Sequence, residues 1–320
     1  MTKESKPADA VVAAFIADSD AVFTPAYDAL PMAEQRAIYD AFWRRYHAPH
    51  PKGVSVETVM IPAEGRDLRA LLYRPPQRSA NREPLPAVVC FHGGGWMLGS
   101  PESHDLPGAR LCAEAGVAVL NLDYRLAPEN VFPDALMDCL AAVQWVARSG
   151  RGAGLDPDRL AVAGDSAGGT LAAGLCLWIR DHGGPRIAFQ ALIYPALTTA
   201  VDPGLSGGVS AEAVSRYLST YFGGQKLSDN AYAMPLSAKS LADLPPAFIA
   251  TGSLDPIRSH GEVYAQRLRH AGIPCGYTCG FGLPHTYLRL VHSSAAAAGE
   301  LSACSRAIQR ALALQQSMAS

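Results

Sequence analysis

The chain has 320 residues and a mass of 33.8 kDa, long enough for one large α/β domain with an accessory element or for two ordinary domains. Hydrophobic residues make up 49% and charged residues 18%, which excludes extensive disorder and predicts a sizeable packed core. The formal net charge is −2, so electrostatics give no reason to expect nucleic acid or an anionic membrane as partner. We therefore expect a small-molecule partner.

The cysteine count predicts a reducing compartment. The seven cysteines are odd in number and show neither paired zinc spacing nor a disulfide framework, so we interpret them as buried thiols. No apolar run reaches the length of a membrane span. We expect a cytoplasmic protein. The cysteines are Cys90, Cys112, Cys139, Cys176, Cys275, Cys279 and Cys304.

In chain order, short apolar strands alternate with helical segments from residue 55 onward. The predicted strands cover 55–61, 68–73, 87–91, 117–124, 160–163, 189–194, 247–251 and 275–279. This alternation predicts an α/β fold with a mostly parallel eight-stranded sheet, helices on both faces and an antiparallel pair at one edge. Catalytic loops are expected at the carboxyl ends of the strands.

Two aromatic-rich segments interrupt the alternation and predict a helical cap. We expect N-terminal cap helices over 1–52, the first part of the core over 53–197, a cap insertion over 198–235 and the second part of the core over 236–320. Their aromatic side chains either line an apolar substrate entrance or only pack the cap onto the core.

A glycine-flanked serine carries the strongest chemical signal. Residues 164–169 read Gly-Asp-Ser-Ala-Gly-Gly, directly after a predicted strand and before a helical stretch. This is the pattern of a nucleophile elbow, in which Gly164 and Gly168 leave room for a tight strand-to-helix turn. The turn predicts Ser166 as an exposed nucleophile.

A second glycine run follows the strand at 87–91 and reads His-Gly-Gly-Gly-Trp over 92–96. Backbone N–H groups of Gly93 and Gly94, with that of Ala167, can converge on a tetrahedral oxyanion. An ordinary glycine turn would leave the triple glycine beside an elbow unexplained. The run therefore predicts an oxyanion hole.

The order Ser, Asp or Glu, His confines the remaining partners to residues beyond Ser166. Asp255 follows the strand at 247–251, and His285 lies in the loop after the last strand. We expect Asp255 to orient His285, which serves as general base. Alternative candidates lie in less suitable segments: Asp202, Asp229, Asp243, His182, His260, His270 and His292.

These motifs resemble those of the hormone-sensitive-lipase-like esterases, the bacterial family IV carboxylesterases of the α/β-hydrolase fold. The resemblance covers roughly residues 85–287 and implies nucleophile Ser166, acid Asp255, base His285 and oxyanion donors Gly93, Gly94 and Ala167. It also implies that His92 and residues 125–129 are scaffold. The chain departs from the family pattern at Ser259-His260 and at Thr286-Tyr287.

The sequence therefore predicts a serine carboxylesterase that acts through an acyl-enzyme on Ser166, without metal or organic cofactor. The family resemblance implies short- to medium-chain esters as substrates. An amide (formamidase-like) or lactone hydrolase with the same triad stays open. A non-catalytic small-molecule receptor on this scaffold is the alternative from another class; such receptors lack the catalytic histidine that this chain has. A homodimer is possible, since dimers are common among the proteins it resembles.

Overall fold

The fold is described from a computed structural model, which describes residues 6–76, 83–202, 204–205 and 207–319, with side chains up to residue 313. Within these ranges eight strands form one sheet: β1 (Ser55–Ala63), β2 (Arg66–Arg74), β3 (Leu85–Phe91), β4 (Ala118–Leu122), β5 (Leu155–Asp165), β6 (Phe189–Ile193), β7 (Ala247–Gly252) and β8 (Cys275–Gly280).

The sheet order is β1-β2-β4-β3-β5-β6-β7-β8. β1 and β2 pair antiparallel, β2 and β4 pair antiparallel, and all other neighbours are parallel. The predicted eight-stranded, mostly parallel sheet with an antiparallel edge is confirmed. The carboxyl ends of the central strands meet at one edge, where the polar motifs lie.

Nine α-helices accompany the sheet in the described residues: α1 (Ala10–Val22), α2 (Pro25–Asp28), α3 (Met32–Arg44), α4 (Asp105–Ala115), α5 (Asp134–Ser149), α6 (Ala167–His182), α7 (Ala211–Phe222), α8 (Arg258–His270) and α9 (Ala295–Ala319). α5, α6 and α8 pack on one face of the sheet, and α4 and α9 pack on the other. Both faces are covered, so the central strands are buried throughout.

The first three helices and α7 fall in the two segments predicted as cap. A side-chain bridge joins them, because Arg216 on α7 donates to Gln35 Oε1 at 3.0 Å and pairs with Asp28. Part of the aromatic set packs the cap internally: Phe15 lies against Phe42 and Trp43, with ring centroids 6.2 and 5.8 Å apart. Phe23, Tyr39, Trp43 and Tyr217 line a cavity described below.

The prediction of buried thiols holds for only part of the set. Cys112, Cys139, Cys176 and Cys304 are buried, but Cys279 is exposed and Cys90 and Cys275 are half-buried. Cys275 and Cys279 lie on β8, which has a strand neighbour on one side only. For these two cysteines the correction follows from the edge position of β8, which sequence periodicity does not show.

Among the described residues, no helix combines the length and apolar character needed to cross a membrane.

Candidate active site

Ser166 lies on the tight turn between β5 and α6. Its backbone has φ 54° and ψ −118°, a conformation that non-glycine residues rarely adopt. A Cβ added at Gly164 would lie 2.2 Å from the Gly168 carbonyl oxygen, and one at Gly168 would lie 1.9 Å from that of Phe91. Only glycine fits at either position, so the turn holds Ser166 at the carboxyl end of the sheet, as the elbow pattern predicts.

The structure brings the three predicted triad side chains into one hydrogen-bonded chain. His285 Nε2 lies 2.8 Å from Ser166 Oγ, and His285 Nδ1 lies 2.7 Å from Asp255 Oδ2. Both distances are within hydrogen-bond reach for a nucleophile, a base and the acid that orients the base. The serine proton can therefore pass to His285 Nε2, while the hydrogen bond from Nδ1 to Asp255 fixes the orientation of the ring.

Asp255 and His285 are themselves held from several sides. The Asp255 side chain is fully buried, and its Oδ1 accepts from the Ile257 N–H at 2.9 Å, so the other oxygen is left for the histidine. The backbone N–H of His285 donates to the backbone carbonyl of Gly207 at 2.8 Å. Gly207 lies in the segment predicted as cap insertion, which therefore supports the loop that carries His285.

The first glycine of the run differs from its predicted role. The Gly93 N–H donates to Asp165 Oδ1 at 2.9 Å and lies 3.1 Å from His104 Nε2. Because this N–H already donates to a buried carboxylate, it is not available to an oxyanion. The structure therefore corrects the prediction that Gly93 is an oxyanion donor. Among the described residues, the N–H groups of Gly94, Gly95 and Ala167 have no protein acceptor. Those three are the remaining candidates.

Asp165, the residue before the nucleophile, joins the elbow to the glycine loop. Besides the Gly93 contact, its carboxylate accepts from the Tyr194 hydroxyl at 3.2 Å and lies 3.3 Å from His104 Nε2. Burial alone would raise the pKa of this carboxyl, but interactions with His104, Arg289 and the Gly93 amide outweigh burial and lower the pKa. Asp165 is thus an ionised anchor behind the site.

Two buried histidines next to this anchor have pKa values below the usual range for histidine. Burial, followed by the neighbouring His104, lowers the pKa of His92 to about 4. Burial and the Arg289 charge lower the pKa of His104 as well. The His92 ring stacks on Tyr124 at 4.3 Å, and the Tyr124 hydroxyl donates to the His92 carbonyl at 2.7 Å. These contacts agree with the scaffold role that the family resemblance implied for His92.

His260, the nearest alternative base, is engaged elsewhere. Its Nδ1 accepts from the Leu197 N–H at 3.2 Å, and its Nε2 donates to the Ala200 carbonyl at 2.5 Å. With both ring nitrogens occupied, His260 ties α8 to the chain leaving β6. At this position, where the chain departs from the family pattern, His260 therefore fastens the start of the segment predicted as cap insertion.

A cavity of about 410 Å³ opens onto the serine. Ser166, His285, Gly94 and Gly95 are among its lining residues, and both segments predicted as cap contribute walls. The aromatic side chains in the lining are Phe23, Tyr39, Trp43, Trp96 and Tyr217. The prediction that cap aromatics line an apolar entrance therefore holds for some of them, while others, such as Phe15 and Phe42, pack the cap.

Sequence reasoning missed Gly95, His104 and Arg289. Gly95 belongs to the same glycine run as Gly93 and Gly94, so the sequence marked the segment. It did not show the direction in which the Gly95 N–H points. His104 and Arg289 belong to no motif and are brought together only by folding. In the described part of the chain, no three His, Cys, Asp or Glu side chains are grouped so that they could hold a metal ion.

The fold and the site together define a serine hydrolase of the α/β-hydrolase class. Residues 88–289 match the model of the alpha/beta hydrolase fold family, and the chain belongs to this family. The resemblance to hormone-sensitive-lipase-like esterases is confirmed by the relatives that it matches.

The chain is 38% identical to Esterase LipI of Mycobacterium tuberculosis over 82% of each chain. It is 39% identical to Carboxylesterase NlhH of the same organism, over 77% of this chain and 79% of that protein. Among solved structures it is similar to EstE1, a carboxylesterase cloned from a metagenomic library, with a TM-score of 0.83 and 33% identity, over 89% of this chain and 98% of that one.

Proposed function

We propose that this protein is a serine carboxylesterase that hydrolyses short- to medium-chain carboxylic esters. The activity class, carboxylic-ester hydrolase, follows from family membership and from relatives such as LipI and NlhH. The observation that carries the mechanism is the continuous hydrogen-bond chain from Ser166 through His285 to Asp255.

In the proposed mechanism, Ser166 Oγ attacks the ester carbonyl carbon while His285 Nε2 takes its proton. The carbonyl oxygen becomes an oxyanion, which the N–H groups of Gly94, Gly95 and Ala167 stabilise. The imidazolium then protonates the leaving alcohol, and an acyl-enzyme forms on Ser166. Asp255 stays ionised, fixes the Nδ1–H tautomer of His285 and stabilises its positive charge.

Deacylation repeats these steps with water. His285 takes a proton from the water as the water oxygen adds to the acyl carbon. When the second tetrahedral intermediate collapses, the bond from the acyl carbon to Ser166 Oγ breaks, the imidazolium returns its proton to Oγ, and the carboxylic acid is released. Both halves of the reaction use the same base and the same oxyanion donors. The buried ionised Asp165 holds the adjacent Gly93, which keeps the donor loop against the elbow.

Short to medium acyl chains fit a cavity of about 410 Å³ whose lining includes five aromatic side chains and several aliphatic ones. Amide or lactone cleavage would use the same triad, but no feature of the described residues favours either. The receptor alternative is disfavoured because His285 is present and hydrogen-bonded to Ser166.

The test combines turnover with labelling. Wild-type protein is expected to hydrolyse p-nitrophenyl butyrate. It should also be labelled at Ser166 by an alkyl fluorophosphonate, which bonds to Oγ through phosphorus with loss of fluoride, as located by mass spectrometry. Ser166→Ala should lose both while unfolding at the same temperature. Absence of ester turnover by well-folded wild type, or labelling at another residue, would overturn the proposal. A series of acyl chain lengths defines the substrate range.

A cytoplasmic location and a homodimer stay predictions. The first derives from the free cysteines and the second from the family resemblance. Fractionation of the producing cells and light scattering of the purified protein test them.

A further inference from the structure

α7 of the cap insertion contacts the glycine loop through two tyrosines one turn apart. The Tyr221 ring stacks on the Trp96 indole, with centroids 4.4 Å apart and planes only 6° from parallel. Tyr217 lies against the preceding residue: a Cβ added at Gly95 would approach its ring to 2.4 Å. The cap thus presses on the two residues that complete the glycine loop.

The backbone conformation of this part of the loop depends on contacts from neighbouring segments. Gly94, Gly95 and Trp96 have φ values of 127°, 61° and 60° in succession. Glycine tolerates such values, but a bulky residue such as Trp96 is strained there and keeps this conformation only if its surroundings impose it. The same dihedral angles set the directions of the Gly94 and Gly95 N–H groups.

Tyr221 is well placed to impose that conformation. It is 1% exposed, and Phe132 meets its ring edge-on, with centroids 5.8 Å apart. Its carbonyl accepts from the Phe132 N–H at 2.9 Å. The Tyr221 hydroxyl, in contrast, has no hydrogen-bond partner among the described residues. Its contribution to the loop is therefore made by the ring face and not by the polar group.

We propose that Tyr221 is a positioning residue for the oxyanion hole: its ring, stacked on Trp96, holds the left-handed backbone that points the Gly94 and Gly95 N–H groups at the reacting carbonyl. This inference rests on the proposed function. If Tyr221 has this role, the cap insertion positions the oxyanion donors and also forms a wall of the cavity.

The test is a split between kcat and KM in Tyr221→Leu. Formation and breakdown of the acyl-enzyme both pass through an oxyanion, so misdirected donors slow both steps alike and leave KM nearly constant. Removing one donor outright costs about 100- to 1000-fold in such sites, so we expect kcat to fall about 10- to 100-fold when donors are misaligned. Affinity for an aryl trifluoromethyl ketone, which adds to the serine as a tetrahedral oxyanion, should fall in parallel.

Two controls separate positioning from general loss of stability. Tyr221→Phe keeps the ring and removes an unpartnered hydroxyl, so its kcat should match wild type. Tyr264 is also fully buried with a hydroxyl that has no partner among the described residues, but it lies on α8, which packs on β7 and β8. Tyr264→Leu should lower the melting temperature comparably while leaving kcat within about twofold.

The outcomes are distinguishable. A folded Tyr221→Leu with wild-type kcat, or a Tyr221→Phe as impaired as Tyr221→Leu, overturns the positioning role. If Tyr221→Leu does not fold, Trp96→Phe, which shrinks the same stack from the loop side, is measured instead. Its kcat should fall about 3- to 10-fold, less than after loss of a whole donor, and a wild-type kcat would again refute the role. Wild type without esterase activity would refute the proposed function itself.

Discussion

Replacing Asp165 by asparagine should slow catalysis although this residue does not touch the substrate. The carboxylate accepts from Gly93 at 2.9 Å and from Tyr194 at 3.2 Å, and it is the negative group beside His104 and buried Arg289. Asparagine has nearly the same shape, so the substitution removes the charge and one acceptor without opening a cavity.

The magnitude follows from those contacts. Hydrogen bonds to an ionised group each contribute about 1.5 to 3 kcal/mol, and asparagine can still accept one of the two. Loss of the other, together with an uncompensated charge on Arg289, should lower the free energy of unfolding by about 3 kcal/mol. A glycine loop displaced by about 1 Å should cost roughly 100-fold in kcat.

The assay is steady-state hydrolysis of p-nitrophenyl butyrate by Asp165→Asn, with urea unfolding monitored by tryptophan fluorescence. Asp156→Asn is the matched control, because Asp156 lies at the opposite end of β5 and bonds Arg159 at 2.6 Å instead. The control should lose stability at most and keep its kcat. Wild-type kcat in folded Asp165→Asn would refute the reasoning that this carboxylate positions the loop.

Three further predictions concern the buried framework. Because the pKa of His92 is lowered to about 4, the unfolded chain binds more protons between pH 6.5 and about 4, so stability should decrease on acidification through that window; a urea midpoint constant from pH 8 to pH 4 would contradict this. Gly168→Ala should destabilise the fold by more than about 4 kcal/mol, since its Cβ would lie 1.9 Å from the Phe91 oxygen, and soluble protein with a wild-type melting temperature would show the turn to be adaptable. His260→Ala should keep most of its kcat but melt at lower temperature, and a folded, inactive variant would make His260 a base.

Much of the site followed from chain order. Ser166, Asp255 and His285 were predictable because each follows a strand of a parallel sheet, and the carboxyl ends of such strands meet at one edge. The eight strands were predictable for the same reason: strands buried on both faces are nearly continuous apolar runs, bounded by glycine and proline. The motifs added the order of the three groups.

The oxyanion donors were predictable only as a segment. Three consecutive glycines mark a loop that approaches substrate, but which N–H faces the carbonyl depends on dihedral angles that glycine leaves open. In the structure the Gly93 N–H donates to Asp165, a residue 72 positions away in sequence. Gly94 and Gly95 are therefore the glycines of the run that remain as candidate oxyanion donors. No local pattern could have shown that pairing.

The sequence by itself determined the sheet, the order of the three proposed catalytic groups and the choice of Ser166 as proposed nucleophile, because strand periodicity and glycine-flanked turns are local properties of the chain. Only the tertiary structure decided how the site is held: Asp165 on Gly93, His260 on Leu197 and Ala200, and Tyr221 on Trp96. Each of these contacts joins distant segments through side-chain direction and burial, which depend on packing and on no periodicity that a single sequence displays.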